Sequence, residues 1–299
     1  MDSLWSLEQS SAQQIETDTS KLNRWNYAPD SIPLFSDSLI QLRLSILNEQ
    51  TPFELVYNQA VKTQINIFAN TYRNHVSRML GKANYYFPLF ESKLDEFNLP
   101  LEFKYLAIVE SALEPQARSR SAATGLWQFM YATGKMYDLK VTSYVDERSD
   151  PLQSTIAACE YFTFLYKMFN DWELVLAAYN GGPGYVSRAI RQSGAKDYWS
   201  LRPYLRKETQ NYVPKFIAVN YIMKFFSEHN IYPTTYRFTM AETDTLSINQ
   251  SITFEVLSET LGVDIDIIKK LNPIYKRNLI PVSINSTTSI RLPYKAVAT

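Results

Sequence analysis

PLEFKYLAIVES, residues 100–111, decides how this chain reads. Pro100 opens the segment, because proline's fixed φ suits a first helical turn. Phe103, Leu106 and Ala107 lie seven, four and three positions before Glu110. The glutamate therefore continues the inward face of a helix instead of its solvent face. Burial disfavours a charged carboxylate and raises its pKa, which equips the group to donate a proton near neutral pH. Two readings stand at this point: a catalytic acid, or a helix-end glutamate satisfied by local amides.

Outward from this segment the helical texture continues, and from about residue 34 to 226 nearly every stretch has helical spacing. Asp150-Pro151 supplies an N-cap and a first-turn proline for LQSTIAACEYFTFLYKMF, where Leu152, Ile156 and Cys159 form a stripe that puts the lone cysteine in the core. Asp146 and Glu147 read as builders of the preceding loop. Asn180-Gly181-Gly182-Pro183-Gly184 must break the helix WELVLAAY, with Asn180 available as its cap. Residues 1–30, rich in Ser, Gln, Thr and Asp, read as a polar tail. After about His229 the texture turns to Thr, Ser, Ile and Val. Strand-like pieces stand at 236–240, 251–254 and 289–292, and helical ones at 255–261 and 264–271, the latter ending at Asn272-Pro273. The expected fold is thus mainly α over residues 31–235, with a motif core at 90–226. A linker and a small strand–helix–helix–strand module follow over 236–299.

Composition narrows the function classes. Lys+Arg and Asp+Glu are equal at 30 each, so no global field recruits nucleic acid or an acidic membrane. A single cysteine excludes an intramolecular disulfide. His75 and His229 are the only imidazoles and lack companion motifs, so neither a metal nor another cofactor is expected. Aromatic residues make up 14%, which suits walls that stack on sugars and equally suits helical packing. The N-terminus has no basic region followed by an apolar stretch, so it does not read as a signal peptide.

What gives Glu110 meaning is its company. ESALEPQARSRSAATGLWQFMYATG is followed by DERSDP, by LAAYNGGPG and by ETQNYVPKF. In order and spacing these blocks resemble the lytic transglycosylases of the goose-lysozyme-like fold, and the resemblance covers residues 90–226. It implies a helical catalytic domain in which Glu110, followed by Ser111, is the catalytic residue. It also implies Ser119, Gln128, Met130, Tyr179, Asn180 and Tyr212 as substrate-binding residues of the cleft. Gly125-Leu126-Trp127-Gln128 and Ala178-Tyr179-Asn180 carry the match, while Ala122 and Thr124 depart from it, standing where relatives often have glycine and alanine. Glu208 and Tyr212, four apart on one helix face, fit either surface packing or a groove wall. The stretch ITFEVLSETLGVDIDIIKKLNP with the closing SIRLP resembles a divergent LysM module, without the usual glycine-containing turn before its first helix.

The resemblance implies non-hydrolytic cleavage of the bond between N-acetylmuramic acid and N-acetylglucosamine in peptidoglycan glycan strands. The ends formed are 1,6-anhydro sugars, with no cofactor and no nucleic-acid partner. It further implies a periplasmic protein and leaves a lipid anchor in upstream residues open. A lysozyme-type muramidase with a second carboxylate and a noncatalytic wall-binding scaffold are the rival readings.

Overall fold

The computed structural model describes residues 23–283 and 287–297; the reading of residues 1–22 as a tail lies outside them. Residues 23–31 lie against the turn near residue 230. Arg24 pairs with Glu228 at 2.8 Å, and Asn230 Nδ2 donates to the carbonyls of Ala28 and Ser31 at 3.0 and 2.9 Å.

Helices α1 (Asp37–Asn48), α2 (Gln59–Asn66) and α3 (Arg73–Glu96) lead to a 3-10 turn, Leu101–Phe103, which feeds α4 (Lys104–Ser111). The short α5 (Tyr131–Met136) precedes α6 (Pro151–Phe169), α7 (Trp172–Gly181), α8 (Pro183–Ser193), α9 (Tyr198–Leu201) and α10 (Lys207–Lys224). The caps follow the sequence. Asp150 accepts from the Leu152 and Gln153 amides with Pro151 in the first turn, and Asp171 accepts from Leu174. The break after WELVLAAY falls two residues later than the Asn180 cap reading, because Gly182, at φ 91°, ends α7 and leaves Asn180 inside the last turn.

Helix α10 packs against α2, α4 and α7, and every residue from Tyr212 to Met223 is buried. A helix buried on every side over this stretch sits at the centre of the bundle, its polar Lys215 and Asn220 satisfied by carbonyls. Pro214 interrupts it, and proline frees the carbonyl four residues earlier. That carbonyl, of Gln210, accepts instead from Tyr198 Oη at 2.8 Å and Arg202 Nε at 2.7 Å. The helix therefore continues past the proline with no orphaned acceptor.

The aromatic richness is largely core. Phe103 stacks on Phe162 with ring centroids 4.2 Å apart, while Trp127 lies 5.1 Å from Phe90 and donates its indole N–H to Thr155 at 3.0 Å. Cys159 is buried in the same region. The proposed stripe is only partly right: Leu152 is exposed, and Thr155, Ala158, Cys159, Phe162 and Leu165 form the buried face of α6.

The C-terminal module has β1 (Thr243–Ile248), β2 (Ile252–Thr253), α11 (Phe254–Leu261), α12 (Ile265–Leu271), β3 (Leu279–Ile280), β4 (Thr288–Pro293) and a last turn α13 (Tyr294–Val297). Strands β1 and β4 pair antiparallel, Thr243 opposite Pro293 through Ile248 opposite Thr288. Asn272 fastens α12 to β4, donating to the Arg291 carbonyl and accepting from its amide, each at 2.7 Å. The strand expected at 236–240 is not one. A capping box between Thr239 and Glu242 forms a 3-10 turn, and the strand begins at Thr243. Tyr236 serves packing instead, 5.6 Å from Tyr85 and under the ammonium of Lys270. Among the described residues no helix is long and apolar enough to cross a membrane.

Candidate active site

Glu110 sits in the last turn of α4, and the chain then leaves the helix abruptly. Ala112 and Leu113 adopt φ of 54° and 60°, a left-handed pair rare for non-glycine residues and costly unless the surroundings enforce it. Burial of Leu113 and the bond from the Ala112 amide to the Ile108 carbonyl enforce it here. The Ser111 hydroxyl lies 2.9 Å from the carbonyls of both Ala107 and Leu126, so it joins the helix end to the Gly125–Gln128 block.

The carboxyl of Glu110 faces α10. Tyr212 donates its hydroxyl proton to Oε1, and Lys215, one turn on, donates Nζ to the Val109 carbonyl at 3.1 Å. The residue stays partly open on one side, yet protein crowds the carboxyl enough that poor hydration pushes its pKa up to about 7. The Tyr212 bond and the Lys215 charge oppose that rise, and the charge of exposed Glu208 adds to it. The hydroxyls of Tyr179 and Tyr212 are held well above their ordinary range, first by burial and then by the Glu110 charge. All three groups thus share one poorly solvated space.

The floor is the loop holding Gly125 and Gln128. Gly125 needs its φ of +91°, and a Cβ there would stand 1.8 Å from the Arg148 carbonyl oxygen. Gln128, itself at φ 48°, spends both amide protons inward on the carbonyls of Ala117 and Gly125, at 3.1 and 2.9 Å. A flipped amide would set its oxygen against two carbonyls, so the orientation is fixed by chemistry. Its Oε1 is left buried without a donor, and such an acceptor is costly unless something arrives to fill it. Ala122 and Thr124, the two departures from the family pattern, are coupled. Ala122 takes φ 63°, which glycine would adopt freely, and the Thr124 hydroxyl donates to its carbonyl at 3.2 Å.

The far wall is the end of α7. Tyr179 donates to the Trp127 carbonyl at 2.6 Å, and Asn180 Oδ1 accepts from Thr209 Oγ1 at 2.8 Å. A cavity of about 250 Å³ lies there, lined by Gln128, Met130, Tyr161, Tyr179 and Asn180 among others. The structure thus gathers Gln128, Met130, Tyr179 and Asn180 at one cavity and links Tyr212 directly to Glu110. Ser119 is not in that lining; its Oγ accepts from the Ala123 amide at 3.0 Å and closes its own turn. Lys215, Thr209, Arg148 and Tyr161 were missed by the sequence reading. Thr209 and Lys215 had a local signal, each three residues from Tyr212 on one helix face. Among the described residues no cluster of His, Cys, Asp or Glu could hold a metal ion.

Residues 89–202 match the family described as Transglycosylase SLT domain. Over these residues the chain is similar to lytic transglycosylases. Residues 242–299, the β1–α13 region, match the family described as Lytic transglycosylase MltD, LysM-like domain. Membrane-bound lytic murein transglycosylase D of Escherichia coli is 41% identical over 160 residues, covering 52% of this chain and 35% of that protein. Membrane-bound lytic murein transglycosylase F of Maricaulis maris is 32% identical over 139 residues, covering 42% and 28%. The chain thus matches about a third of the length of these curated relatives or less. The solved 70 kDa soluble lytic transglycosylase of Escherichia coli aligns with a TM-score of 0.40 at 23% identity, over 50% of this chain and 26% of that one. Every cleft group described above except Thr209, Tyr212 and Lys215 lies within the SLT match. Those three come from α10, beyond residue 202.

Proposed function

We propose that this protein is a peptidoglycan lytic transglycosylase in which Glu110 serves as acid and then base. The observation that carries the reading is the Glu110 carboxyl, held near a pKa of about 7 by burial and bound by Tyr212 on one oxygen. Donation by Tyr212 to Oε1 leaves Oε2 to carry the proton, which fixes the direction of its delivery. Protonated Glu110 passes that proton to the glycosidic oxygen between N-acetylmuramic acid and N-acetylglucosamine. The bond to the anomeric carbon breaks, with the substrate's acetamido group stabilising the cationic centre. The resulting Glu110 carboxylate then takes the proton of the muramoyl C6 hydroxyl as that oxygen closes on the anomeric carbon. One bond breaks, one forms, the proton returns to Glu110 and no water enters.

Most glycosidases place two carboxylates about the bond, the second activating water or attacking directly. The second carboxylate whose charge reaches Glu110 is that of exposed Glu208 on α10, and the resemblance implies intramolecular closure in place of a water-activating carboxylate. Gln128, Tyr179, Asn180 and Met130 form the saccharide wall. Orienting the hydroxyl near the anomeric carbon removes several kcal/mol from the barrier. The substrate places the enzyme in the periplasm, and the C-terminal module serves the same polymer.

Digestion of purified sacculi, with the products weighed, tests the reading. Muropeptides one water lighter than hydrolysis products are expected from the wild type and none from Glu110→Gln. Hydrated ends would establish a muramidase. Equal digestion by both forms would remove Glu110 from the chemistry.

A further inference from the structure

Arg148 lies in a 3-10 turn, Glu147–Ser149, within the DERSDP block but with no role assigned to it by the resemblance, and it is 5% exposed. Its guanidinium is spent on two tasks. Nε and Nη2 grip both carboxylate oxygens of buried Asp146, at 2.9 and 2.7 Å. Nη1 reaches the carbonyls of Ala122 and Phe129, at 3.1 and 3.2 Å. Those two carbonyls bracket the loop that holds Gln128. Within the loop, the Thr124 N–H to Phe129 carbonyl bond and its reciprocal, each at 3.0 Å, close the turn, while Ser111 and Tyr179 hold its Leu126 and Trp127 carbonyls from outside.

Asp146 is in turn held by the LysM-like module. Its amide donates to the Ile274 carbonyl at 2.9 Å, and Val145 forms a β-bridge with Tyr275. The Lys276 amide donates to the Tyr144 carbonyl at 2.8 Å, and Lys276 Nζ donates to Thr142 at 2.7 Å. Arg277 stacks over Tyr144 at 5.0 Å. A continuous line of hydrogen bonds therefore runs from the module's 274–277 segment, through 142–146 and Arg148, to the floor of the cleft.

We propose that Arg148 is a positioning residue for Gln128, and that the LysM-like module acts on the cleft by bracing the 142–146 segment that leads into the Arg148 turn. The consequence for function rests on the transglycosylase reading; the structural coupling does not. A guanidinium suits this post because its planar fork satisfies a carboxylate and two carbonyls at once, which an ammonium cannot do in fixed geometry.

The test uses the full chain and two readouts. Asp146→Asn with Arg148→Met leaves no charge buried alone, and Arg148→Lys keeps the charge without the fork. In the double variant, hydrogen exchange at the Thr124 and Phe129 amides is expected to rise about tenfold, with α10 amides unchanged. For soluble glycan strands KM should rise about tenfold, with kcat within about twofold and the pH profile of Glu110 unmoved. Arg148→Lys should shift both readouts in the same direction by less. Lys276→Ala with Arg277→Ala, in the module alone, should raise exchange at 142–146 and about threefold at Thr124 and Phe129. Unchanged exchange at Thr124 and Phe129 in the Arg148 variants overturns the positioning role. Unchanged exchange there in the module variant overturns the coupling. If the wild type cleaves no glycan, the functional reading fails while the exchange measurements still decide the coupling.

Discussion

Tyr212 donates a hydrogen bond to Glu110 across 102 positions of sequence, from the centre of one helix to the end of another. The bond favours the charged form of a carboxyl whose burial favours the neutral form, so the two effects set the acidity between them.

Removing the bond separates the effects. Tyr212→Phe deprives the carboxylate of a donor, so the Glu110 pKa rises further above about 7. The basic limb of the pH–rate profile should move to higher pH. A lost hydrogen bond to a charged group is worth about 1.5–3 kcal/mol, so kcat should fall roughly 10- to 100-fold. A basic limb that stays in place would dissociate Tyr212 from the titration.

The same acidity is written into stability. In the unfolded chain Glu110 titrates near 4.5, and in the folded chain near 7. A raised folded value means that folding is favoured in full below about pH 4.5 and loses stability as pH rises to about 7. Glu110→Gln removes that loss. Allowing for the carboxyl's partial exposure, the variant should be more stable than wild type by about 2 kcal/mol at pH 8, roughly 5 °C in Tm. At pH 4 the two should melt together, and calorimetry at both pH values checks it.

His229 supplies a test of opposite sign. Burial, with Arg43 and Arg73 nearby, holds its pKa down at about 3 against 6.5 in the open chain. Its contribution is present above about pH 6.5 and is lost as pH falls toward 3. His229→Gln should flatten the acid side of the stability curve by about 1.4 kcal/mol per pH unit over that window. Urea unfolding at several pH values measures the slope.

Gly125→Ala tests the floor of the cleft. The new methyl would meet the Arg148 carbonyl at 1.8 Å with the backbone at φ +91°, so the loop must move. A loss of about 2–4 kcal/mol in stability is expected, together with weaker glycan binding by titration calorimetry. Wild-type stability would show that the loop has slack.

Much of this was legible in sequence where the signal is local. The spacing of Leu106, Ala107 and Glu110 and the Asp150-Pro151 cap concern neighbours in the chain and formed where they point, while the α-helix opens only at Lys104 after a 3-10 turn holding Phe103, and the break after WELVLAAY narrows to Gly182. Composition misled at 236–240, because Tyr236 answers to packing against Tyr85 of α3 and Lys270 of α12 and not to a strand ladder. Periodicity misled at Leu152, where the first turn of α6 lies at the surface.

The chain by itself determined the helices, the inward aim of Glu110 and the order of the cleft segments, because helical period and capping act within a few residues. Only the tertiary structure decided that Tyr212 meets Glu110, that Thr209 takes Asn180, and that Arg148 ties a loop at 122–129 to a module at 274–277. Those contacts join residues distant in sequence, and no local spacing encodes which helix ends a packed core brings together.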